Sequence, residues 1–558
     1  MRSATLILLC QFATIISAQQ TVEIRVDASE KIGSFRPVWN YFGYDEPNYT
    51  YTKNGAKLIH ELAASSQTPV HIRTHNLLTT GNGTPALKFG STDAYTEDSS
   101  GKPVYDWRIV DRILQTYVQS GAKPFVEIGF MPKALSMRPD PYVPIWKPGD
   151  KFDRYYVGWS HPPNSYEKWG DLVYEWVKHS VGKYGKSEVE SWNWEVWNEP
   201  NIAYWHGTPD EYNKLYDYTA EAVKRALPSA RIGGPGSTSP RDPKAAAFLK
   251  QFLEHCSSGK NYATQTAGAP LDFISFHAKG QPEVFQQHVR MSISQEIRDV
   301  SQGFAIVGSF EKFRNLPIVL TEADPDGCAA CSARVYPQNG YRNGTLYPAY
   351  EAAAMKSILE LADRNQVNLL GVLTWAFEFE DQPYFAGFRT LATNGVDKPV
   401  LNFFRMAGLM NGERVQVQSA AALGSDAILA SGVRDFPDID ALATRSEHKL
   451  SIMVWSYQDE DTTGPVVPVN LSISALPSDA KRLLLRHYRI DQDHSNAFTA
   501  WKQMGSPQNP TAEEQSKLEA SGQLQLLESP RWIDNQAGSA NIRFTLPREA
   551  ISLIELSW

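Results

Sequence analysis

Short apolar segments alternate with amphipathic helical patterns along most of this chain, and this alternation constrains the fold more than any other feature. Eight segments between residues 35 and 410 have the length and the apolar content of buried strands. Between them, apolar residues recur every three or four positions, as on one face of a helix. Eight strand–helix units predict an α/β fold, a (β/α)8 TIM barrel spanning 35–410. The predicted strands are Trp39–Gly43, Val70–His75, Phe125–Phe130, Trp192–Trp197, Ile232–Gly236, Phe273–His277, Ile318–Glu322 and Leu369–Trp375. The predicted helices include Val110–Val118, Tyr166–Tyr184, Asp210–Leu227 and Tyr347–Asn365.

An open, doubly wound sheet is the alternative arrangement for alternating strands and helices. Such a sheet usually carries a glycine-rich first turn that opens directly into a helix. The nearest match runs from Gly81 to Ala86, but it has Pro85 in place of a helix-opening residue. The barrel is therefore the favoured prediction.

The pattern changes after residue 410, where short strand-like segments are separated by polar turns. This texture predicts a C-terminal antiparallel β-sandwich over 411–558. Near the N-terminus, Val22, Ile24 and Val26 alternate with charged residues, which is typical of a half-buried strand. We expect this 19–34 segment to join the C-terminal sheet. The predicted C-terminal strands are Leu450–Tyr457, Val466–Ile473, Leu483–Ile490, Ile542–Leu546 and Ile551–Leu556.

The first 18 residues have the organisation of a secretory signal. Arg2 provides a positive charge, an apolar stretch follows, and Ser17-Ala18 supply a small-residue cleavage site. The apolar stretch is shorter than a membrane-spanning helix, so we expect an extracellular protein with no membrane association after cleavage. Secretion allows N-glycans at four Asn-x-Ser/Thr sequons. The sequons begin at Asn48, Asn82, Asn343 and Asn470.

Charge and cysteine content narrow the possible partners and sites. Acidic residues exceed basic ones by 62 to 54, which argues against binding to nucleic acid. Cys328 and Cys331 form a Cys-x-x-Cys pair that is open to three interpretations: a metal half-site, a redox pair or a disulfide. Secretion favours the disulfide, and Cys256 is expected to be a buried free thiol.

Catalytic residues of TIM barrels lie at the C-terminal ends of the strands, and two predicted strand ends carry a glutamate. Glu199 follows strand 4 in Trp-Asn-Glu-Pro, and Glu322 ends strand 7 in Leu-Thr-Glu. Two convergent carboxylates are what glycosidic bond cleavage requires. One carboxyl protonates the leaving oxygen, while the other attacks the sugar or activates water.

Residues near the two glutamates are suited to binding a sugar and to keeping a carboxylate ionised. We therefore expect the partner to be an oligosaccharide or glycoside. Asn198 can bond a sugar hydroxyl, Arg73 can hold a nucleophile ionised, and Trp375 can form a platform under a sugar ring. His71 and His75 lie on an extended strand, where contact with substrate or a structural role is favoured over metal binding. We interpret Glu127 and Glu195 as buried, paired core groups. Glu378, Glu380 and Asp381 are interpreted as a solvated acidic loop.

Motifs of other chemistries were not found. The sequence has no Gly-x-Ser-x-Gly elbow, no His-Glu-x-x-His helix and no phosphate-binding loop. No second Cys pair completes a zinc site, so no metal is expected.

Over nearly the whole barrel the chain resembles glycoside hydrolase family 39. The matching segments are Lys123–Glu127, Trp194–Pro200, Gly233–Gly236, Phe276-His277 and Leu320–Glu322. By this resemblance the fold is a barrel with an adjacent β-sandwich, Glu199 is the acid/base, Glu322 is the nucleophile of a retaining enzyme, and no cofactor is used. The family includes β-xylosidases, α-L-iduronidases and some arabinofuranosidases.

The identity of the sugar depends on the residues after strand 6. Many members of the clan have an aromatic residue two positions after His277, whereas this chain has Lys279, as in iduronidases. Lys279 can face the sugar and bind a uronic acid carboxylate, or bind neutral hydroxyls or a catalytic carboxylate, or turn outward. Arg389 is the only nearby candidate for a second basic group. A secreted β-xylosidase-like exo-glycosidase is favoured, with an iduronidase-like or arabinofuranosidase activity as the alternative. A non-catalytic sugar-binding protein is disfavoured because both carboxylates are present.

Overall fold

The computed structural model of this protein describes residues 21–143 and 157–558. The predicted signal segment 1–18 lies outside the described residues. Eight parallel strands close into a barrel, and a separate, mostly antiparallel sheet stands beside it. The predicted fold class is therefore confirmed.

The strands and helices have the following bounds. The strands are β1 (Val22–Ser34), β2 (Tyr41–Tyr44), β3 (His71–Thr74), β4 (Tyr95–Glu97), β5 (Pro103–Tyr105), β6 (Lys123–Ile128), β7 (Asn193–Val196), β8 (Arg231–Ser237), β9 (Phe273–Lys279), β10 (Glu283–Phe285), β11 (His288–Arg290), β12 (Pro317–Asp324), β13 (Asn368–Trp375), β14 (Ala392–Thr393), β15 (Val396–Asp397), β16 (Glu413–Ser419), β17 (Asp438–Arg445), β18 (Lys449–Tyr457), β19 (Val467–Ser474), β20 (Arg482–Ile490), β21 (Gln525–Asp534), β22 (Ala540–Leu546) and β23 (Ile551–Ser557). The α-helices are α1 (Lys53–Ala64), α2 (Arg108–Ser120), α3 (Tyr166–Tyr184), α4 (Lys186–Val189), α5 (Pro209–Ala226), α6 (Pro243–Ser258), α7 (Ile293–Gly308), α8 (Leu346–Asn365), α9 (Pro399–Leu409), α10 (Gly424–Ser431), α11 (Ala497–Gln503) and α12 (Ala512–Gly522).

The barrel runs in the order β2-β3-β6-β7-β8-β9-β12-β13 and closes by pairing β13 with β2. These are the eight predicted strands, displaced by at most a few residues. Local signals fix the helices between them: Thr208 and Glu211 form a capping box at the start of α5, and Pro209 occupies its first turn. All eight strands place their C-terminal ends at one face of the barrel, called here the mouth. The opposite end is called the floor.

The second domain is a nine-stranded sheet in the order β21-β20-β23-β18-β17-β16-β1-β19-β22. β1 lies within it, antiparallel to β16 and parallel to β19. The sheet folds over on itself, because Arg489 on β20 donates to the carbonyl of Thr545, close to the other edge, at 2.8 Å. One apolar cluster that includes Ile24, Val454 and Leu471 fills the space between the two halves.

Three strands of this sheet, β16, β17 and β21, were not among the predicted strands. β21 is an edge strand with mostly exposed residues, so it lacks the regular alternation that predicts a strand. β16 and β17 carry buried polar residues such as Arg414, Asp438 and Asp440, which interrupt the apolar pattern.

Cysteine pairing follows the expectation. Cys328 and Cys331 form a disulfide in the loop after β12, and Cys256 is buried and free. Within the described ranges, none of the helices has both the length and the apolar character that a membrane crossing requires.

Candidate active site at the barrel mouth

Glu199 lies three residues beyond the end of β7, in a turn whose backbone is unusual. Its φ is +46° and that of Trp197 is +69°, a left-handed conformation that non-glycine residues adopt mainly where surrounding structure imposes it. The Glu199 amide donates to the carbonyl of Gly236 at 2.9 Å, which ties this turn to the end of β8. A Cβ at Gly236 would lie 3.0 Å from Glu195 Oε1, so this close approach favours glycine. The Glu199 side chain is 16% exposed at the mouth.

Glu322 reaches the barrel interior because β12 is irregular. Leu320 pairs with Phe276 on β9, but the next pair is Glu322 with His277, so Thr321 is an extra residue. Such a bulge reverses the inward and outward alternation of the residues that follow it. Without the bulge, Thr321 would occupy the register position opposite His277.

The two predicted catalytic carboxylates meet beside His277. One oxygen of Glu199, one of Glu322 and a ring nitrogen of His277 lie within 4.8 Å of one another. His277 Nδ1 is 2.9 Å from Glu199 Oε1 and 3.8 Å from Glu322 Oε2. The imidazole therefore bridges the pair and orients both.

Glu322 is surrounded by basic groups. Burial alone would raise the pKa of its carboxyl, but the charges of His277, Lys279, Arg73 and His75 together hold it well below its ordinary value. Lys279 Nζ lies 2.8 Å from Glu322 Oε2. Arg73 Nη1 lies 3.5 Å from Glu322 Oε1. Glu322 is consequently an ionised carboxylate at neutral pH.

Arg73 is fully buried at the centre of the mouth. Its Nε donates to Glu195 at 2.5 Å, its Nη2 donates to Asn198 Oδ1 at 3.1 Å, and Nη2 lies 3.7 Å from Glu127. Glu127 and Glu195 are 0% exposed and paired with this cation, as the sequence interpretation expected. The Asn198 oxygen is engaged by Arg73, so its amide group is held in place by the same residue.

His75 sits between two acidic residues. Its Nδ1 lies 2.6 Å from Asp45 Oδ1 and its Nε2 lies 2.8 Å from Glu127 Oε2. Burial opposes protonation, but Glu127 and Asp45 outweigh it and raise the pKa of His75 to about 9. His75 is 1% exposed and therefore supports the site from below. Asp45, which directly follows β2, was not among the predicted site residues, because it belongs to no recognisable motif.

Lys279 is not a free cation. It is 8% exposed, and its Nζ binds Asp324 as well as Glu322. Of the interpretations left open by the sequence, the structure shows Lys279 bound to Glu322, and its contact with a sugar stays a prediction. Asp324 was also not assigned a role; its Oδ1 accepts from the Trp375 amide at 2.8 Å. The spacing of Glu322 and Asp324, two apart on one strand, was the available signal.

Arg389, the second basic candidate, is completely buried. Its Nη1 donates to Asp326 Oδ1 at 2.6 Å, and its Nη2 lies 3.4 Å from Asp324. These carboxylates neutralise its charge.

Trp375 does not form an open platform. The indole is 3% exposed, packs 4.2 Å from the ring of His75, and lies over Gly43, whose Cβ position would be 2.4 Å from the indole. The Arg73 guanidinium carbon is 5.0 Å from the indole centroid. Close packing on three sides explains why the ring fills the barrel rather than presenting a face.

The acidic loop after β13 is only partly solvated. Glu378 is 1% exposed, accepts from the amide of Gly395, and has its pKa raised to about 8 by burial. Glu380 accepts from the amide of Asn54 at 2.6 Å, and Asp381 is exposed. The interpretation of all three as a solvated loop is therefore wrong for Glu378.

Two of the four sequons are incompatible with a glycan in this fold. Asn48 is 0% and Asn343 4% exposed, and both side-chain amides donate to backbone carbonyls. Asn82 is exposed and Asn470 is half-buried. A sequon does not predict whether its asparagine is exposed, because exposure depends on the fold.

Glu199, His277 and Glu322 also have the spacing of three metal ligands. The ammonium of Lys279 already lies against Glu322, where it competes with a metal cation by charge and by space. The geometry therefore fits acid–base and nucleophilic chemistry better than metal binding.

Comparisons with known proteins agree with this geometry. Residues 22–535 match the family model of glycosyl hydrolases family 39. A β-xylosidase of Geobacillus stearothermophilus is 26% identical over 473 residues, which cover 82% of each chain. A human α-L-iduronidase is 26% identical over 390 residues, 63% of this chain and 54% of the relative.

Solved structures share the fold. A monomeric β-xylosidase from Caulobacter crescentus CB15 superposes with a TM-score of 0.74 at 22% identity and covers 96% of this chain and 99% of its own. A family 39 enzyme from Xanthomonas axonopodis pv. citri gives 0.73 at 21% identity, covering 97% and 98%. The two carboxylates at the barrel mouth, the nine-stranded sheet beside it and the match over residues 22–535 lead to one conclusion: this chain is a glycosidase that belongs to glycoside hydrolase family 39.

Proposed function

We propose that the protein is a retaining exo-glycosidase that acts by double displacement through Glu322 and Glu199. The observation that carries this proposal is the approach of the two carboxylates to within 4.8 Å. Retaining enzymes hold their carboxyl groups about 5–5.5 Å apart, whereas inverting enzymes need about 6.5–9.5 Å to admit a water.

In the first step, Glu322 attacks the anomeric carbon and Glu199 donates its proton to the departing oxygen. A covalent glycosyl–Glu322 ester forms and the alcohol leaves. In the second step, Glu199 removes a proton from water, which attacks the same carbon and releases Glu322. The cations around Glu322 keep it ionised before attack, and His277 holds Glu199 towards the scissile bond.

A neutral sugar fits the charges of the mouth better than a uronic acid. The cations near Glu322, namely Arg73, Lys279 and Arg389, are buried and paired with carboxylates. None of these three is left to neutralise a substrate carboxylate. This pairing supports β-xylosidase-like specificity. The His-Ala-Lys sequence at 277–279 supports the iduronidase-like alternative.

The direct test is a panel of nitrophenyl glycosides with purified protein: β-D-xyloside, α-L-iduronide and α-L-arabinofuranoside. We expect turnover of the xyloside, with proton NMR showing first-formed product of retained configuration. First-formed product of inverted configuration contradicts double displacement, and no turnover indicates a sugar-binding protein.

A Lys279→Met variant separates the two sugar classes. Because Lys279 pairs with Glu322, we expect the xyloside to lose kcat/KM along with any other substrate. Selective loss on the iduronide, with the xyloside unaffected, would instead assign an iduronidase-like site.

We also propose that the protein is secreted and glycosylated at Asn82. The charged, apolar and small-residue order of residues 1–18 and the exposure of Asn82 support this. Expression in a eukaryotic host should release a chain beginning at Gln19 into the medium. Asn82→Gln should lower its mass by one glycan; retention in the cell contradicts the proposal.

A further inference from the structure

A cavity of about 350 Å³ opens at the floor of the barrel, at the end opposite Glu322. This is within the size range of small-molecule sites, roughly 300–1,000 Å³. Its inner wall is formed by Tyr41 and His71, whose rings stack at 4.6 Å, and Leu370 lies beside them. Arg36, Lys123 and Arg231 also line it.

The charged groups that line this cavity are all basic. Three of its lining residues are cations, and among the described residues that line it none is Asp or Glu. Lys123 pairs with Glu188 outside the cavity at 2.6 Å. The two arginines donate to neutral acceptors: Arg36 to Asn368 Oδ1 at 2.6 Å, and Arg231 to the carbonyl of Ser191. The acidic residues that interact with these cations, Glu188 and Asp272, are not among the residues that line the cavity.

The pKa values of groups in the cavity wall reflect burial and the nearby positive charges. Burial, followed by the charges of Arg231 and Lys123, lowers the pKa of His71 to about 3. Burial also lowers the pKa of Arg231. A bound anion would relieve both effects.

We propose that the floor cavity is a binding site for a small organic carboxylate with an apolar body, such as an aryl carboxylate. A guanidinium pairs with a carboxylate through two parallel hydrogen bonds. Arg231 would hold the carboxylate, Arg36 and Lys123 would add attraction, and the ring would lie against Tyr41 and Leu370. The carboxylate of the ligand thus matches the basic residues of the cavity wall, and its ring matches the apolar residues.

Three probes test the proposal by isothermal titration calorimetry on the full chain: benzoate, acetate and benzyl alcohol. We expect benzoate to bind more tightly than acetate, which lacks the ring, and than benzyl alcohol, which lacks the charge. Arg231→Gln should weaken benzoate binding about 10-fold or more, the usual effect of losing a charged hydrogen bond. Arg36→Gln, on an exposed residue, should weaken it less and serves if Arg231→Gln does not fold. Arg108→Gln, on an exposed arginine of α2, is the matched control.

Inhibition kinetics distinguish binding at the floor cavity from binding at the mouth. Benzoate at the floor should not compete with a nitrophenyl glycoside, and binding should persist in Glu322→Ala. Competitive inhibition, equal affinity in Arg231→Gln and Arg36→Gln, or equal affinity for benzoate and benzyl alcohol would overturn the proposal. Because the site is independent of the sugar preference, failure of the proposed activity leaves this test intact.

Discussion

The two ends of the barrel interior are built from the same strands and have opposite chemistry. β6 carries Phe125 towards the floor and Glu127 towards the mouth, two residues apart. At the floor, Phe125 packs against Tyr41 and Phe273 at ring distances of 6.4 and 5.4 Å. At the mouth, Glu127 faces Arg73 and His75.

This difference separates apolar packing from paired buried charges within one core. Apolar packing at the floor is favourable by itself, since it removes surface from water. A layer of buried charges is costly unless each charge is matched, and it is retained where reacting groups must be ionised and positioned. Apolar packing at the floor therefore stabilises the closed barrel. The closed barrel in turn brings the charged side chains of the mouth close together.

The largest expected effect is on activity at the mouth. Glu322→Ala should abolish turnover of every glycoside, because no covalent intermediate can form. Steady-state kinetics on the nitrophenyl panel measures this, with circular dichroism confirming the fold. Near-normal activity of this variant would break the assignment of the nucleophile.

Glu199→Ala should have an effect that depends on the leaving group. We expect a loss of about 10²–10⁴-fold on glycosides with poor leaving groups, the usual contribution of general acid catalysis. Dinitrophenyl glycosides, which need little protonation, should retain rapid formation of the intermediate. Added azide should then give a glycosyl azide of retained configuration; an inverted azide contradicts the mechanism.

Phe125→Ala tests the floor. We expect a loss of about 3–5 kcal/mol in the free energy of unfolding, because a fully buried ring leaves a cavity. The matched mouth variant on the same strand is Glu127→Gln, which should alter the pH dependence of kcat/KM. Urea unfolding and pH profiles of both variants check the comparison. An altered pH profile in Phe125→Ala would show that the two ends are not separable.

The smallest effects concern two histidines four residues apart. The pKa of His75 at the mouth is raised to about 9, so its stabilisation is present below pH 6.5 and is lost as pH rises to 9. The pKa of His71 at the floor is lowered to about 3, so its stabilisation is present above pH 6.5 and is lost as pH falls to 3.

Replacement of each histidine should therefore reduce the pH dependence of the free energy of unfolding by roughly 1–3 kcal/mol. The two replacements should act on opposite sides of pH 6.5. His75→Gln should reduce the decline between pH 6.5 and 9, and His71→Gln the decline between pH 6.5 and 3. Unfolding free energies measured at intervals from pH 4 to 9 test this. Flattening of the same limb by both variants would contradict opposite environments.

The sequence alone determined the architecture and predicted the two glutamates that meet at the mouth. Strand and helix periodicity located the eight barrel strands, since alternation and capping are local properties. Glu199 and Glu322 were found because functional residues of barrels concentrate at strand ends. β16, β17 and β21 were missed where burial of polar residues or edge position removed the periodic signal.

Only the tertiary structure decided which charges pair. The sequence left the partners of Lys279 and Arg389 open, and the closure of the barrel places Asp324 and Asp326 beside them. The same closure buries Trp375 and Glu378, removes Asn48 and Asn343 from solvent, and exposes a floor cavity lined by cations without acids. Periodicity reports which face of an element is buried, whereas charge pairing depends on strands far apart in sequence and on one bulge at Thr321 that turns Glu322 inward.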